Sequence, residues 1–301
     1  MRILASDGME KASVEKLKSL GHEVVEQFYE PDELKEQVKN FDVLVVRSAT
    51  KVRAPIIDAA AEAGRLKLIL RGGVGVDNID VAYAQEKGIK VNNTPKASSA
   101  AVAELAIGHM FCLARYIHIA NVTMRDGKWN KKNYEGIELM GKTLGLIGVG
   151  RIGRSVADRA AALGMHVIYT EHPSFVPPAD DPYKLVTKDE LLAQADFISI
   201  HMPKQDKPVI GQEELAKLKE GVFLVNTSRG GLIDEAELIK ALDSGKVAGA
   251  ALDVFEEEPT KNEKLYTHPK VSATPHIGAS TKEAQGRIGE ELVAQILELT
   301  F

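Results

Sequence analysis

The sequence predicts an α/β protein of two doubly wound, parallel-sheet domains, Rossmann-like and flavodoxin-like, with a cleft between them. Three observations carry this expectation. Short apolar runs alternate with amphipathic segments along nearly the whole chain, the pattern of parallel strands covered by helices. In the middle, a buried strand runs into a glycine turn, a helix, a second strand and an acid, starting at Thr143. From Ser280 the chain reads as helical, with Ile288, Leu292, Ile296 and Leu299 on one face, so it is expected to cross back and complete the first domain.

In the first domain the apolar runs are Arg2–Ala5, 24–25, Val43–Val46, 66–70 and 89–91, with helix candidates at 9–20, 31–39 and 55–63. Val43–Val46 reads as a buried strand, so Arg47 and Ser48 emerge at its carboxyl end, the edge where open α/β sheets collect ligands. After the next strand, Gly72, Gly73 and Gly75 free backbone N–H groups to face a carboxylate. Asn93, Thr94 and Pro95 punctuate the chain, and 94–97 is taken as the first crossing between domains. Ser98 or Ser99 then caps a helix expected to run to about Ile119. It is apolar around most of its circumference and must be buried, centrally or in a subunit interface.

The second domain is organised by Gly148-x-Gly150-x-x-Gly153, between an apolar run at 144–147 and helical spacing over 154–163. The first glycine permits the tight bend, the second lets a pyrophosphate approach the backbone, and the third lets helix and strand pack closely. The amides of Arg151 and Ile152 then sit at a helix N-terminus, where free N–H groups favour an anion. The next strand, His166–Thr170, ends at Glu171, 18 residues beyond Gly153, where a carboxylate grips the adenosine ribose diol of NAD. Further strands are expected at Phe197–Ile200, 222–225, 248–252 and Val271–Ala273, giving a sheet of about six. The helices between them are Lys188–Gln194, with the capping box Thr187-x-x-Glu190, then 212–219 and 234–242. The expected organisation is a discontinuous substrate-binding domain, 1–95 plus 282–301, and an NAD-binding domain, 96–281.

Composition narrows the function classes. At 44% hydrophobic and 27% charged the chain is ordinary globular material. A net charge of −5 supplies no basic field for nucleic acid, and there is no basic run and no zinc-ligand spacing, so no metal is expected. The most apolar stretch, 100–114, contains Glu104 and His109 and is too short to span a bilayer, so no membrane is expected. Cys112 is the only cysteine, which forbids an internal disulfide. The N-terminus turns polar too early for a signal peptide, and the cytoplasm is the expected compartment.

Arginine, glutamate and histidine follow consecutive buried strands as Arg229, Glu258 and His276. Hydride transfer from a secondary alcohol needs a base for the hydroxyl proton, and an imidazole titrates in the right range. A carboxylate on its other nitrogen fixes the tautomer and favours the imidazolium. A guanidinium offers a planar fork for a substrate carboxylate and the neighbouring C2 oxygen.

With these residues in place, the sequence resembles the D-isomer-specific 2-hydroxyacid dehydrogenases, and among them the phosphoglycerate-oxidising branch. The resemblance covers essentially the whole chain. It rests on VRSATKV at 46–52, GVDNI at 75–79, Ala114-Arg115, DGKW at 126–129, GVGRIG at 148–153, SRGG at 228–231, AALDVF at 250–255 and PHIGASTKEAQ at 275–285. It implies NAD-dependent oxidation of D-3-phosphoglycerate to 3-phosphohydroxypyruvate, the first step of serine synthesis, with Arg229, Glu258 and His276 as the catalytic trio. It implies that Thr227, Asp253 and Gly278 belong to the cofactor site and that Val74 and Gly75 hold the substrate carboxylate. Arg47, Ser48 and Lys131 or Lys132 of a neighbouring subunit would meet the phosphate, and the family's dimers form through the nucleotide domain. Alternative readings are a glyoxylate/hydroxypyruvate reductase or other D-2-hydroxyacid dehydrogenase, and an NAD-sensing, co-repressor-like interaction protein. The ribose position usually carries aspartate; Glu171 still repels a 2′-phosphate, so NAD is expected over NADP, although His172 follows it. The sequence stops at Phe301 without the C-terminal domain of longer relatives, so no serine feedback through such a domain is expected.

Overall fold

The computed structural model describes residues 1–170, 178 and 180–300. The chain divides into two compact units, Met1–Ser98 with Ala279–Phe301, and Ser99–Gly278.

The first unit alternates strand and helix: β1 (Arg2–Ala5), α1 (Lys11–Ser19), β2 (Glu23–Glu26), α2 (Pro31–Gln37), β3 (Val43–Val46), α3 (Ala54–Ala63), β4 (Leu68–Arg71), α4 (Val81–Glu86) and β5 (Lys90–Asn93). All pairings are parallel, in the order β2-β1-β3-β4-β5. Because side chains alternate along a strand, the sheet buries two separate layers. Leu4, Leu44, Val46 and Ile69 pack with Leu34, Phe41 and Ile57 on one face. Ile3, Val43, Val45, Leu68 and Leu70 pack with Val14 and Leu17 on the other. The helix α4 is not among the sequence expectations; it is six residues long, buries only Ala84 and has no side-chain cap.

The second unit opens with α5 (Ser99–Ala114) and α6 (Ile117–Arg125). The single helix expected to reach about Ile119 is therefore broken, by a bend of 66°. Tyr116 takes a left-handed φ of 54°, and the Ala114 carbonyl accepts from the amide of Ile137 at 2.9 Å instead of continuing the helix. Among the described residues no single helix is long and apolar enough to cross a membrane.

The sheet of this unit is built from β6 (Thr143–Ile147), α7 (Arg151–Ala162), β7 (His166–Thr170), β8 (Lys184–Val186), α8 (Lys188–Gln194), β9 (Phe197–Ile200), α9 (Gln212–Lys217), β10 (Val222–Asn226), α10 (Glu235–Ser244), β11 (Val247–Leu252), α11 (Glu263–Tyr266) and β12 (Val271–Ala273). The order is β12-β11-β10-β9-β6-β7-β8, all parallel. This is seven strands where the sequence predicts about six. The extra one, β8, has three residues, begins with a lysine and pairs only with β7, so it leaves no apolar run to read. Strand order reverses between β6 and β9, which sets the glycine turn and the residue after β9 side by side at the carboxyl edge.

The last helix, α12 (Lys282–Leu297), returns to the first unit, where Ile288, Leu292, Val293 and Ile296 join the layer that holds Val14 and Leu17. Burial of this kind stabilises by about 1.5–3 kcal/mol per large aliphatic side chain, so the return crossing is energetically substantial.

Candidate active site

The glycine turn is a steric necessity here. Gly148 has a φ of 98°, and a Cβ on it would lie 2.3 Å from the His201 carbonyl oxygen after β9. A Cβ on Gly153 would lie 2.2 Å from the Gly148 carbonyl oxygen, so the third glycine sets the approach of α7 to the turn. Gly150 faces open space, and it caps α7 with no side-chain hydrogen bond. The amides of Arg151 and Ile152 thus open a 12-residue helix beside that space, which suits a pyrophosphate. Thr227, after β10, is buried with its Oγ1 unpartnered among the described residues. Glu171 and His172 lie outside the described residues.

Three loops at the carboxyl ends of β10, β11 and β12 carry Arg229, Glu258 and His276. His276 Nδ1 and Glu258 Oε2 are 2.7 Å apart, and about a third of each side chain is exposed. Glu258 Oε1 also accepts from the Phe255 amide at 3.1 Å. Burial alone would raise the Glu258 carboxyl, but the His276 hydrogen bond and charge, the Phe255 amide and nearby Arg229 outweigh it and hold it below the usual range. An ionised Glu258 accepts Nδ1–H, which leaves Nε2 as the ring's other hydrogen-bonding position. Arg229 is fixed from below: Asn226 Nδ2 donates to its carbonyl at 2.8 Å, and its own Nη1 donates to the Ser228 carbonyl at 2.6 Å. A Cβ on Gly230 would lie 1.7 Å from the Phe255 carbonyl oxygen, so this loop and the one bearing Glu258 are locked together.

Asp253 is completely buried. Its Oδ1 accepts from Thr274 Oγ1 at 2.6 Å and from the Ile277 amide at 2.8 Å, and its Oδ2 accepts from the Gly278 amide at 2.8 Å. Those bonds grip the chain on both sides of His276. The Gly278 amide is committed to Asp253.

In the first unit, Asp7 Oδ2 accepts from the amides of Arg47 and Thr50 at 2.6 and 3.0 Å, which fixes the backbone at the end of β3. The Arg47 side chain lines a cavity of about 550 Å³ with Glu10, Ser280, Thr281, Lys282 and Gln285. Glu10 is spent on capping α1, accepting from the Ala12 and Ser13 amides and the Ser13 hydroxyl. Val74 and Gly75 lie in the loop after β4, where Asn93 Nδ2 donates to the Val74 carbonyl and Thr94 N to the Gly73 carbonyl. Lys131 and Lys132 belong to the second unit, in a 3-10 turn at Lys131–Asn133. Sequence reasoning does not single out Lys282 and Gln285. The available signal is a lysine directly after the Thr281 N-cap of α12.

Comparison with known proteins adds the following. The family described as D-isomer specific 2-hydroxyacid dehydrogenase, NAD binding domain, matches residues 107–278. A hydroxypyruvate reductase of Thermotoga maritima is 50% identical over 303 residues, spanning 99% of this chain and 97% of that protein. A D-3-phosphoglycerate dehydrogenase of Methanocaldococcus jannaschii is 46% identical over 300 residues, spanning 98% of this chain but 57% of that protein. A solved glyoxylate reductase from Paecilomyes thermophila superposes with a TM-score of 0.87 at 37% identity, over 99% of this chain and 94% of that one.

Proposed function

Because this chain belongs to the D-isomer specific 2-hydroxyacid dehydrogenase family, whose members are NAD-dependent oxidoreductases, we propose that it oxidises D-3-phosphoglycerate at C2 to 3-phosphohydroxypyruvate, the first step of serine synthesis. The observation that carries this choice of substrate is the cavity beside Arg47. Neither Arg47 nor Lys282 has a side-chain hydrogen bond or ion pair among the described residues, and the one acid in the lining is already engaged. Two uncommitted cations beside the N-terminus of α12 suit a dianionic phosphate ester better than a neutral hydroxymethyl group.

In this reading His276 Nε2 takes the hydroxyl proton, while Glu258 holds Nδ1–H and stabilises the imidazolium. Arg229 orients the substrate carboxylate and the C2 oxygen, and the backbone at Val74 and Gly75 receives the carboxylate. Arg47, Ser48 and Lys282 take the phosphate, helped by Lys131 or Lys132 of a second subunit. When bound, NAD supplies the nicotinamide that accepts the hydride. Gly148, Gly150, Arg151, Ile152 and Gly153 seat its pyrophosphate, Thr227 meets its nicotinamide half, and Glu171 takes the ribose diol. Asp253 and Gly278 serve the cofactor site indirectly, as the clamp of the His276 loop. We further propose a homodimer formed through the second unit. A lone Cys112 fits a reducing compartment, which we take to be the cytoplasm.

A second reading, reduction of hydroxypyruvate or glyoxylate, is favoured by the full-length match to the hydroxypyruvate reductase. It shares the trio and does not use the phosphate cavity. Initial rates of NADH formation with D-3-phosphoglycerate, D-glycerate and D-lactate separate the two. The phosphorylated acid is expected to be preferred by wild type. In Arg47→Ala and Lys282→Gln its KM should rise about 10-fold or more, the scale of a charged hydrogen bond, with that for D-glycerate unchanged. Equal use of D-glycerate by wild type would leave the reductase reading in its place.

A further inference from the structure

We infer that His109, buried on α5, is a positioning residue for the reaction, acting through Thr274 and Asp253 on the loop that carries His276. The inference rests on the reading of His276 as the base. Its carrier is an unbroken hydrogen-bond chain inside the second unit. His109 is 3% exposed, and its Nδ1 lies 3.0 Å from Ser272 Oγ while its Nε2 lies 3.1 Å from Thr274 Oγ1. Thr274 Oγ1 is in turn 2.6 Å from Asp253 Oδ1.

With a neutral ring, which its burial favours by lowering its pKa, only one arrangement of protons satisfies every member. Asp253 as a carboxylate can only accept, so the Thr274 hydroxyl proton points at it. The Thr274 oxygen must then accept from His109 Nε2–H. With that tautomer Nδ1 carries a lone pair and accepts from the Ser272 hydroxyl. An imidazole suits this place because it donates on one side and accepts on the other through a rigid ring.

The chain ends where the chemistry begins. Asp253 is fixed at its own amide by the Asn226 carbonyl, 3.0 Å away, and accepts from the Ile277 and Gly278 amides just after His276. On the near side, the Thr274 amide donates to the Leu252 carbonyl at 2.9 Å. Between these anchors His276 holds a left-handed φ of 53°, a conformation unfavourable for a non-glycine residue, which needs support from its surroundings. His109 holds the Thr274 hydroxyl in the rotamer that supplies that support. Without it, the hydroxyl can leave Asp253, and the carboxylate loses the bond that fixes its plane.

The test compares His109→Leu, Ser272→Ala, Thr274→Val and Thr274→Ser with wild type. The readouts are kcat, both KM values, thermal melts, and amide hydrogen exchange at Ile277 and Gly278. Expected for His109→Leu and Thr274→Val is a kcat lower by about tenfold with KM values within twofold, the signature of a misplaced base. Exchange at the two amides should be at least about tenfold faster, with other core amides unchanged. Thr274→Ser keeps the hydroxyl and should restore both readouts, and the double variant His109→Leu/Thr274→Val should be no worse than the worse single one. If His109→Leu folds less well, Ser272→Ala, which removes only the far end of the chain, should show the same pattern in weaker form. Wild-type kcat and exchange in folded His109→Leu overturn the inference. Full activity in His276→Gln would instead overturn the reading of the base itself.

Discussion

His201 shows how one residue can serve the cofactor turn without touching its ligand. Its carbonyl oxygen sits where a side chain on Gly148 would fall, and its Nε2 lies 2.8 Å from Ser199 Oγ. Burial pushes its imidazole down to about 4, against about 6.5 in an unfolded chain. The folded state therefore keeps this ring neutral while the unfolded state protonates. Its contribution is intact above about pH 6.5 and is lost as the pH falls towards 4. Urea unfolding of wild type should accordingly lose about 2 kcal/mol more stability between pH 7 and 4.5 than that of His201→Gln. Parallel losses in the two proteins would mean the ring is hydrated. None of this was legible from the sequence, where His201 is just a polar residue after an apolar run. Arg229, Glu258 and His276 stand out in the sequence because each lies in the loop that follows a buried strand, and strand ends are what the sequence marks best. His109 escapes because its partners are 163 and 165 residues away, a separation that only the packing of α5 against β12 removes.

At the scale of elements, legibility follows how local the cause is. The helix α8 was readable to the residue because Thr187 and Glu190 cap it within a single turn. The break between α5 and α6 was not, since it depends on the chain returning at Gly136 and Ile137; a Cβ on Gly136 would lie 2.2 Å from the Ala114 carbonyl oxygen. A second non-local device anchors α7. Arg154 donates from Nη1 and Nη2 to the two oxygens of Asp181, both at 2.7 Å, and Tyr169 OH and the Tyr183 amide donate to the same carboxylate. The Arg154 guanidinium holds the Asp181 carboxyl well below the usual carboxylate range. Asp181→Asn should destabilise by about 2–3 kcal/mol, the range for hydrogen bonds to a charged group. A depressed carboxyl contributes fully above its unfolded pKa, about 3.9, and loses its contribution only as the pH falls through the folded value. The gap between wild-type and Asp181→Asn denaturation midpoints should therefore be the same at pH 7 and pH 4.5. A gap already close to zero at pH 7 would show that the pair is screened by solvent.

At the scale of the whole molecule the two sheets account for all twelve strands among the described residues, yet α6 buries none of its nine residues. Ile117, Val122 and Met124 on it are exposed, as are Phe111, Trp129 and Met140 along the same stretch of chain. An apolar helix left uncovered by its own chain is the kind of surface that buries itself against a partner. The sequence points to burial here but assigns it to one long helix; the structure moves the uncovered part to α6. A second copy of the chain is the occupant that the proposed reaction calls for, because Lys131 and Lys132 lie in the 3-10 turn next along the chain from α6 and are proposed to reach the neighbouring subunit's phosphate site. Two outcomes should therefore move together. In sedimentation equilibrium at micromolar concentration the wild type should have twice the chain mass, and Val122→Glu/Met124→Glu the chain mass alone. The same variant should raise the KM for D-3-phosphoglycerate while leaving that for D-glycerate close to wild type, since withdrawing a lysine ammonium from the phosphate weakens binding about tenfold or more. A wild type that sediments as a monomer removes both the dimer and any role for these lysines across it. A dimer that dissociates with no change in either KM keeps the interface and confines the phosphate site to Arg47, Ser48 and Lys282.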